Sequence, residues 1–146
     1  MIEGKILNST RRRHLEIKAF LWLAIVALLL PESLSLARGY EAKKKAGEYE
    51  VEIQIDRNPP VVGENNITIE IKDGAGKKVT DSKVLVNYYM PPMPRMPPMN
   101  YRTEAKLSGS EFRARMKLIM SGPWYVVVII NREGKTSTAK FNIEAQ

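Results

Sequence analysis

The chain has 146 residues, 44% of them hydrophobic and 27% charged, with nine glycines and nine prolines, a globular balance that excludes collagen-like, disordered and multi-span membrane classes. With residues 1–37 read as an export leader, the remaining 109 suffice for one domain. The formal net charge is +7, there is no cysteine, and the single histidine, His14, falls in that leader, so the domain lacks the thiol and imidazole that disulfides, zinc sites and most nucleophilic catalysis use.

The leader opens with Arg11, Arg12, Arg13 and Lys18, and continues into the uncharged apolar run Ala19–Leu30, which Pro31 ends. Twelve apolar residues match a signal-peptide core of about 7 to 15 and fall short of the roughly 20 needed to span a bilayer. Ser35 and Ala37 place small side chains where a signal peptidase reads, so cleavage after Ala37 is expected. The alternative is an uncleaved signal-anchor that includes Leu15 and Ile17. The run Thr10–Leu15 has the arginines of a twin-arginine signal without its usual aromatic residue. Residues 38–47, with Lys43, Lys44 and Lys45, read as a solvated basic linker near a membrane surface. The other basic residues are scattered, and with export this argues against nucleic acid as a partner.

From Tyr49 the pattern has period two. Tyr49, Val51, Ile53 and Ile55 alternate with polar residues, as do Ile67, Ile69 and Ile71, then Val84, Val86 and Tyr88. Asp73–Gly76 reads as a turn between the second and third runs. Tyr101–Leu107 is a short strand, with Ser108-Gly109-Ser110 as a hairpin turn into a strand bearing Phe112, Ala114, Met116, Leu118 and Met120 on one face. Trp124–Ile130 is continuously apolar, as a central strand covered on both sides would be. Asn131–Gly134 is the last turn, and Phe141 and Ile143 mark the closing strand. The expectation is an all-β domain over 48–146, an immunoglobulin-like β-sandwich of about seven strands preceded by an N-terminal signal helix.

Between the third and fourth strands lies Met90-Pro91-Pro92-Met93-Pro94-Arg95-Met96-Pro97-Pro98-Met99. Proline fixes φ and disfavours helix before it, so extended polyproline II is expected, with Met90, Met93, Met96 and Met99 along one edge. In a straight segment neighbouring Met Cα atoms lie about 9 Å apart and the outer pair nearly 28 Å, so the four sulfurs meet only if the loop folds. Three readings stay open. The methionines are polarizable gap-fillers; or they hold Cu(I), for which a neutral thioether is suited, with Met116 or Met120 as a further ligand; or the segment is a metal-free docking ridge for a membrane or efflux complex, made by Tyr89, Pro91, Pro92, Pro94, Arg95, Pro97 and Pro98. Catalysis is not expected, because Asp56, Glu64, Asp73, Asp81, Ser108 and Ser121 sit at turn positions whose ordinary role is capping loops.

The succession Gly63-Glu64-Asn65, the alternating isoleucines, Asp73 and Gly76, Val84 and Val86, Met90-Pro91-Pro92-Met93, and Met120-Ser121-Gly122-Pro123-Trp124 resembles the YtkA-like domain, found also in the periplasmic part of FixH-type proteins. The likeness runs from about Tyr49 to Glu144. It implies an exported, periplasmic immunoglobulin-like sandwich linked to copper handling or to assembly of haem-copper oxidases, not an enzyme, with partners in copper transport, oxidase assembly or efflux. Met90, Met93 and Met120 fall on family motif positions, and Trp124 on a core position. FixH-type proteins keep a membrane anchor, for which this leader is short, although association through the N-terminus remains open. Without a histidine after the leader, a Cu(II) site of the CopC type has no imidazole to use, which leaves Cu(I) through methionine or no cofactor.

Overall fold

The computed structural model describes residues 39–146; the leader, its expected signal helix and its cleavage site lie outside them. Eight strands form, with no helix among the described residues: β1 Tyr40–Ala46, β2 Tyr49–Ile55, β3 Gly63–Lys72, β4 Lys83–Tyr89, β5 Asn100–Ser108, β6 Glu111–Leu118, β7 Gly122–Arg132 and β8 Lys135–Ala145. They run in the order β1-β2-β3-β6-β5-β4-β7-β8, each neighbour antiparallel. β5 joins the halves, pairing with β4 through Asn100–Ala105 and with β6 through Lys106–Ser108. The outer strands approach each other: the Tyr40 hydroxyl donates to the Asn142 carbonyl at 3.0 Å, and Lys44 Nζ lies 5.9 Å from the Phe141 ring centroid. The result is a nearly closed all-β sheet.

The alternating side chains fill its interior. Val51, Ile53 and Ile55 of β2, Ile67, Ile69 and Ile71 of β3, and Trp124, Val126, Val128 and Ile130 of β7 are buried, each burial of this kind contributing roughly 1.5–3 kcal/mol before entropy is charged against it. β7 lies between β4 and β8, yet only one of its faces is fully enclosed: Tyr125, Val127 and Ile129 are half-buried. Its unbroken apolar run therefore does not mean cover on both sides. It combines an inward face with outward β-branched residues suited to a strand with two paired edges.

The linker expected over 38–47 is corrected, because it contains β1, the eighth strand. Tyr40 through Ala46 pair with Ile55 through Tyr49. Ala46 is buried, and Tyr40 and Ala42 pack against the core. The lysines hide this in the sequence, but Lys43 answers Glu52 of β2 at 2.9 Å. β3 also begins earlier than its isoleucines, since Asn65 occupies an inward position and is fully buried. Its side chain replaces the sheet's bonds in the loop before it, accepting from the Val61 N–H at 3.0 Å and donating to the carbonyls of Val61 at 2.7 Å and Gly63 at 3.1 Å.

The register sorts the connections to two ends. Tyr40 faces Ile55, Gly63 faces Leu118, Tyr89 faces Asn100 and Gly122 faces Ala145. One end thus gathers Gly39, Asp56–Val62, the Met90–Met99 loop, Ile119–Ser121 and Gln146. The other carries the charged turns, including Asp73, whose carboxylate accepts from the Ala75 and Lys77 N–H groups.

Candidate functional site

The Met90–Met99 loop is folded back, which corrects the straight polyproline segment. Arg95 has φ 65°, and the Met96 N–H donates to the Met93 carbonyl at 3.3 Å. With proline at its first central position and a positive φ at its second, Met93–Met96 is a type II β-turn. At the base the Met90 N–H donates to the Met99 carbonyl at 3.1 Å, extending the β4–β5 ladder by one pair. The physical reason lies in the symmetry of the segment. Each Met-Pro-Pro-Met half is extended, as proline dictates, and Pro94-Arg95 joins the halves as a hairpin tip.

Folding brings the four methionines to one place. Met90, Met93, Met96 and Met99 border a cavity of about 220 Å3, together with Tyr89, Pro91, Pro92, Pro97, Pro98 and Asn100. Met90 and Met99 are buried, Met93 is partly buried against the core, and Met96 at the tip is 40% exposed. Of the residues expected in the site, Pro94 and Arg95 do not line the cavity; they form the turn.

Met120 does not line the cavity either. It is half-buried against the core, and its carbonyl accepts the Trp124 indole N–H at 3.0 Å. That bond fixes the short connection into β7, where Gly122 has φ 114° and a Cβ would lie 3.4 Å from the Met90 Cε. A Cβ at that distance would make ordinary van der Waals contact with Met90, so it is the positive φ that calls for glycine here. Met116 has no exposed surface and belongs to the core. Near the loop base, Tyr88, Tyr101 and Trp124 form an aromatic cluster, with centroid separations of 5.5, 6.2 and 6.3 Å. The Tyr88 hydroxyl accepts from the Lys117 N–H at 3.3 Å.

No charged side chain lines the cavity itself. Lys140 Nζ stands 3.6 Å from the Tyr125 ring centroid and 5.4 Å from that of Tyr89, steadying one wall of the site by cation–π attraction. Shifted titrations belong to ion pairs on the strands. Lys43 holds the Glu52 carboxyl below its usual range, Lys72 and Lys78 do so for Glu70, and Arg132 for Asp81; burial raises the Tyr40 phenol. No group of three or more His, Cys, Asp or Glu able to hold a metal ion occurs among the described residues. The side chains lining the cavity that carry donor atoms are the four methionine thioethers, the Tyr89 phenol and the Asn100 amide; a neutral thioether is a soft donor.

Fold and loop together define an all-β domain that presents a methionine-lined pocket at one end. The family model described as YtkA-like matches residues 43–128, and the chain belongs to this family. A solved structure, the soluble domain of PmoD from Methylocystis sp. ATCC 49242 (Rockwell), is similar in fold, with a TM-score of 0.53 and 16% sequence identity over 71% of this chain and 96% of that one. No curated protein matches the sequence.

Proposed function

We propose that this protein is an exported, periplasmic binding domain that holds Cu(I) through Met90, Met93, Met96 and Met99, and serves copper delivery or the assembly of a copper-dependent membrane complex. The observation that supports this reading is that the loop turns back at Pro94-Arg95 and all four methionine residues border one cavity. Family membership supports the copper context. In this reading the frame is an immunoglobulin-like sandwich whose two sheets share β5, and the domain binds its cargo without catalysing a reaction.

The division of labour follows from burial. Met90 and Met99 are held by the ladder at the base, while Met96 reaches solvent and is the first sulfur an arriving ion or a partner's ligand meets. Thioethers carry no proton to lose, so uptake requires no deprotonation, unlike binding to thiolate or imidazole.

Anaerobic Cu(I) titration of the protein against a competing chelator tests the proposal. Met→Leu nearly conserves volume, so Met93→Leu/Met96→Leu should keep the fold and weaken binding at least tenfold, with Met116→Leu as the unaffected control. Unchanged affinity in the double variant sinks the copper reading. In that event the exposed Met96 and the prolines beside it stand as a metal-free contact surface.

A further inference from the structure

The end of the domain that carries the methionine loop differs from the other end in a way the pocket does not require. The exposed large apolar side chains among the described residues are Val62, Met96, Tyr101, Ile119 and Leu107, 36–48% accessible. All but Leu107 lie at the loop end. Around them stand Arg57, Arg95, Arg102 and Lys117, all exposed and none in an ion pair among the described residues. Nearby acidic groups are partly engaged: Asp56 accepts from the Asn66 side chain at 2.8 Å, and Glu64 lies 3.7 Å from Arg115. Glu41 and Glu144 are the other acidic side chains toward this end. At the opposite end Asp81 pairs with Arg132 and Glu70 with Lys72 and Lys78, while Lys45, Lys77, Lys106 and Lys135 are exposed and likewise in no ion pair among the described residues, so it is the exposed apolar side chains that set the loop end apart.

An apolar tip ringed by unpaired cations is the surface that fits a bilayer interface, where apolar side chains enter the headgroup boundary and Lys/Arg meet anionic phosphates. Where the leader is retained as a signal-anchor the connectivity agrees, since Gly39 enters β1 at this end and residues 31–38 separate it from the apolar run Ala19–Leu30. We propose that the loop end docks on a bilayer carrying anionic headgroups, through Val62, Ile119, Met96 and Tyr101, with Arg57, Arg95, Arg102 and Lys117 as the basic rim. The pocket then opens at the membrane face. This docking does not depend on whether the pocket holds copper.

The absence of cysteine makes the test direct. The full chain, with an environment-sensitive fluorophore at Val62→Cys or Ile119→Cys, is reconstituted in vesicles of phosphatidylcholine with or without phosphatidylglycerol, each containing a nitroxide-labelled lipid. Lys77→Cys and Lys135→Cys report the opposite end. Quenching is expected at 62 and 119 and not at 77 or 135. It should be stronger with phosphatidylglycerol, and the docking equilibrium should fall roughly fivefold for each basic residue lost in Arg57→Gln and Lys117→Gln. Equal quenching at the two ends, no quenching at 62 and 119 in the anionic vesicles, or indifference to phosphatidylglycerol and to both Gln variants overturns the proposal. Cu(I) titration in the absence of lipid reads the pocket separately.

Discussion

Arg95 offers the sharpest handle on the loop, because one torsion decides whether the methionines converge. Its φ is 65°, whereas proline is restricted to about −65°, so Arg95→Pro demands a swing of roughly 130° at the tip. The turn cannot survive that change. Its Met96-to-Met93 hydrogen bond, worth about 1 kcal/mol, is lost, and the Met93–Met96 Cα separation grows from under about 7 Å in a turn toward about 9 Å in polyproline II. Arg95 is exposed and does not line the cavity, so the strands beneath should remain intact and Tm should fall by only roughly 4–8 °C. Cu(I) affinity should fall at least tenfold, since Met93 and Met96 no longer face the same cavity. Arg95→Gly is the counterpart: glycine adopts positive φ without the left-handed penalty of about 1–2 kcal/mol, offset in part by its own chain entropy, so it should keep or raise Tm and keep affinity. The measurements are thermal unfolding and chelator-competed Cu(I) titration of both variants. If Arg95→Pro binds as tightly as the parent chain, the folded loop is not what assembles the site.

Other outcomes follow from particular contacts. Asn65→Ala leaves the Val61 N–H and carbonyl without the partner that now holds them and should cost about 2 kcal/mol, seen as a Tm lower by roughly 8–16 °C with the copper site unchanged. Gly122→Ala puts a side chain on a backbone at φ 114° and should destabilise by about 1–3 kcal/mol, seen as a lower Tm, while its Cβ meets the Met90 Cε at ordinary contact distance and should leave Cu(I) binding unchanged. Glu52, Glu70 and Asp81 have lowered folded-state pKa values. Their contribution is therefore fully present above the ordinary carboxylate range, near pH 4–4.5, and is lost as pH falls through the lowered values. Urea midpoints should drop over that acid window, and by less in high salt, because these pairs are solvent-screened.

Much of the frame was legible because an inward strand face leaves a period-two signature. The runs Val51–Ile55, Ile67–Ile71 and Val84–Tyr88 each appear as β2, β3 and β4 with the expected face buried. β1 was hidden because three consecutive lysines, Lys43 to Lys45, break the alternation, Lys44 falling on the same face as Ala42 and Ala46, and the evidence for pairing lies in a distant partner, Glu52, and in the small buried Ala46. Asn65 was equally opaque: a buried polar residue inside a strand is sensible only once the Val61–Gly63 loop is seen to need its amide. For the candidate site, the methionine and proline spacing suggested an extended segment, and the structure folds it back at Pro94-Arg95. The near-palindrome of Met-Pro-Pro-Met around Pro94-Arg95 was the available signal for a turn. Arg95 obscured it, because an arginine at positive φ is uncommon where glycine or asparagine is the usual choice. Gly122 and Asn100 come to the loop through strand register, which the local sequence does not display.

The central claim is that this domain's ligands for copper are methionine sulfurs and nothing else. X-ray absorption at the copper edge of the anaerobically loaded protein tests it most directly. The account predicts a Cu(I) edge and a first coordination shell of sulfur alone, lost in Met93→Leu/Met96→Leu. A shell containing nitrogen or oxygen ligands, or a sulfur shell that persists in that variant, would contradict it.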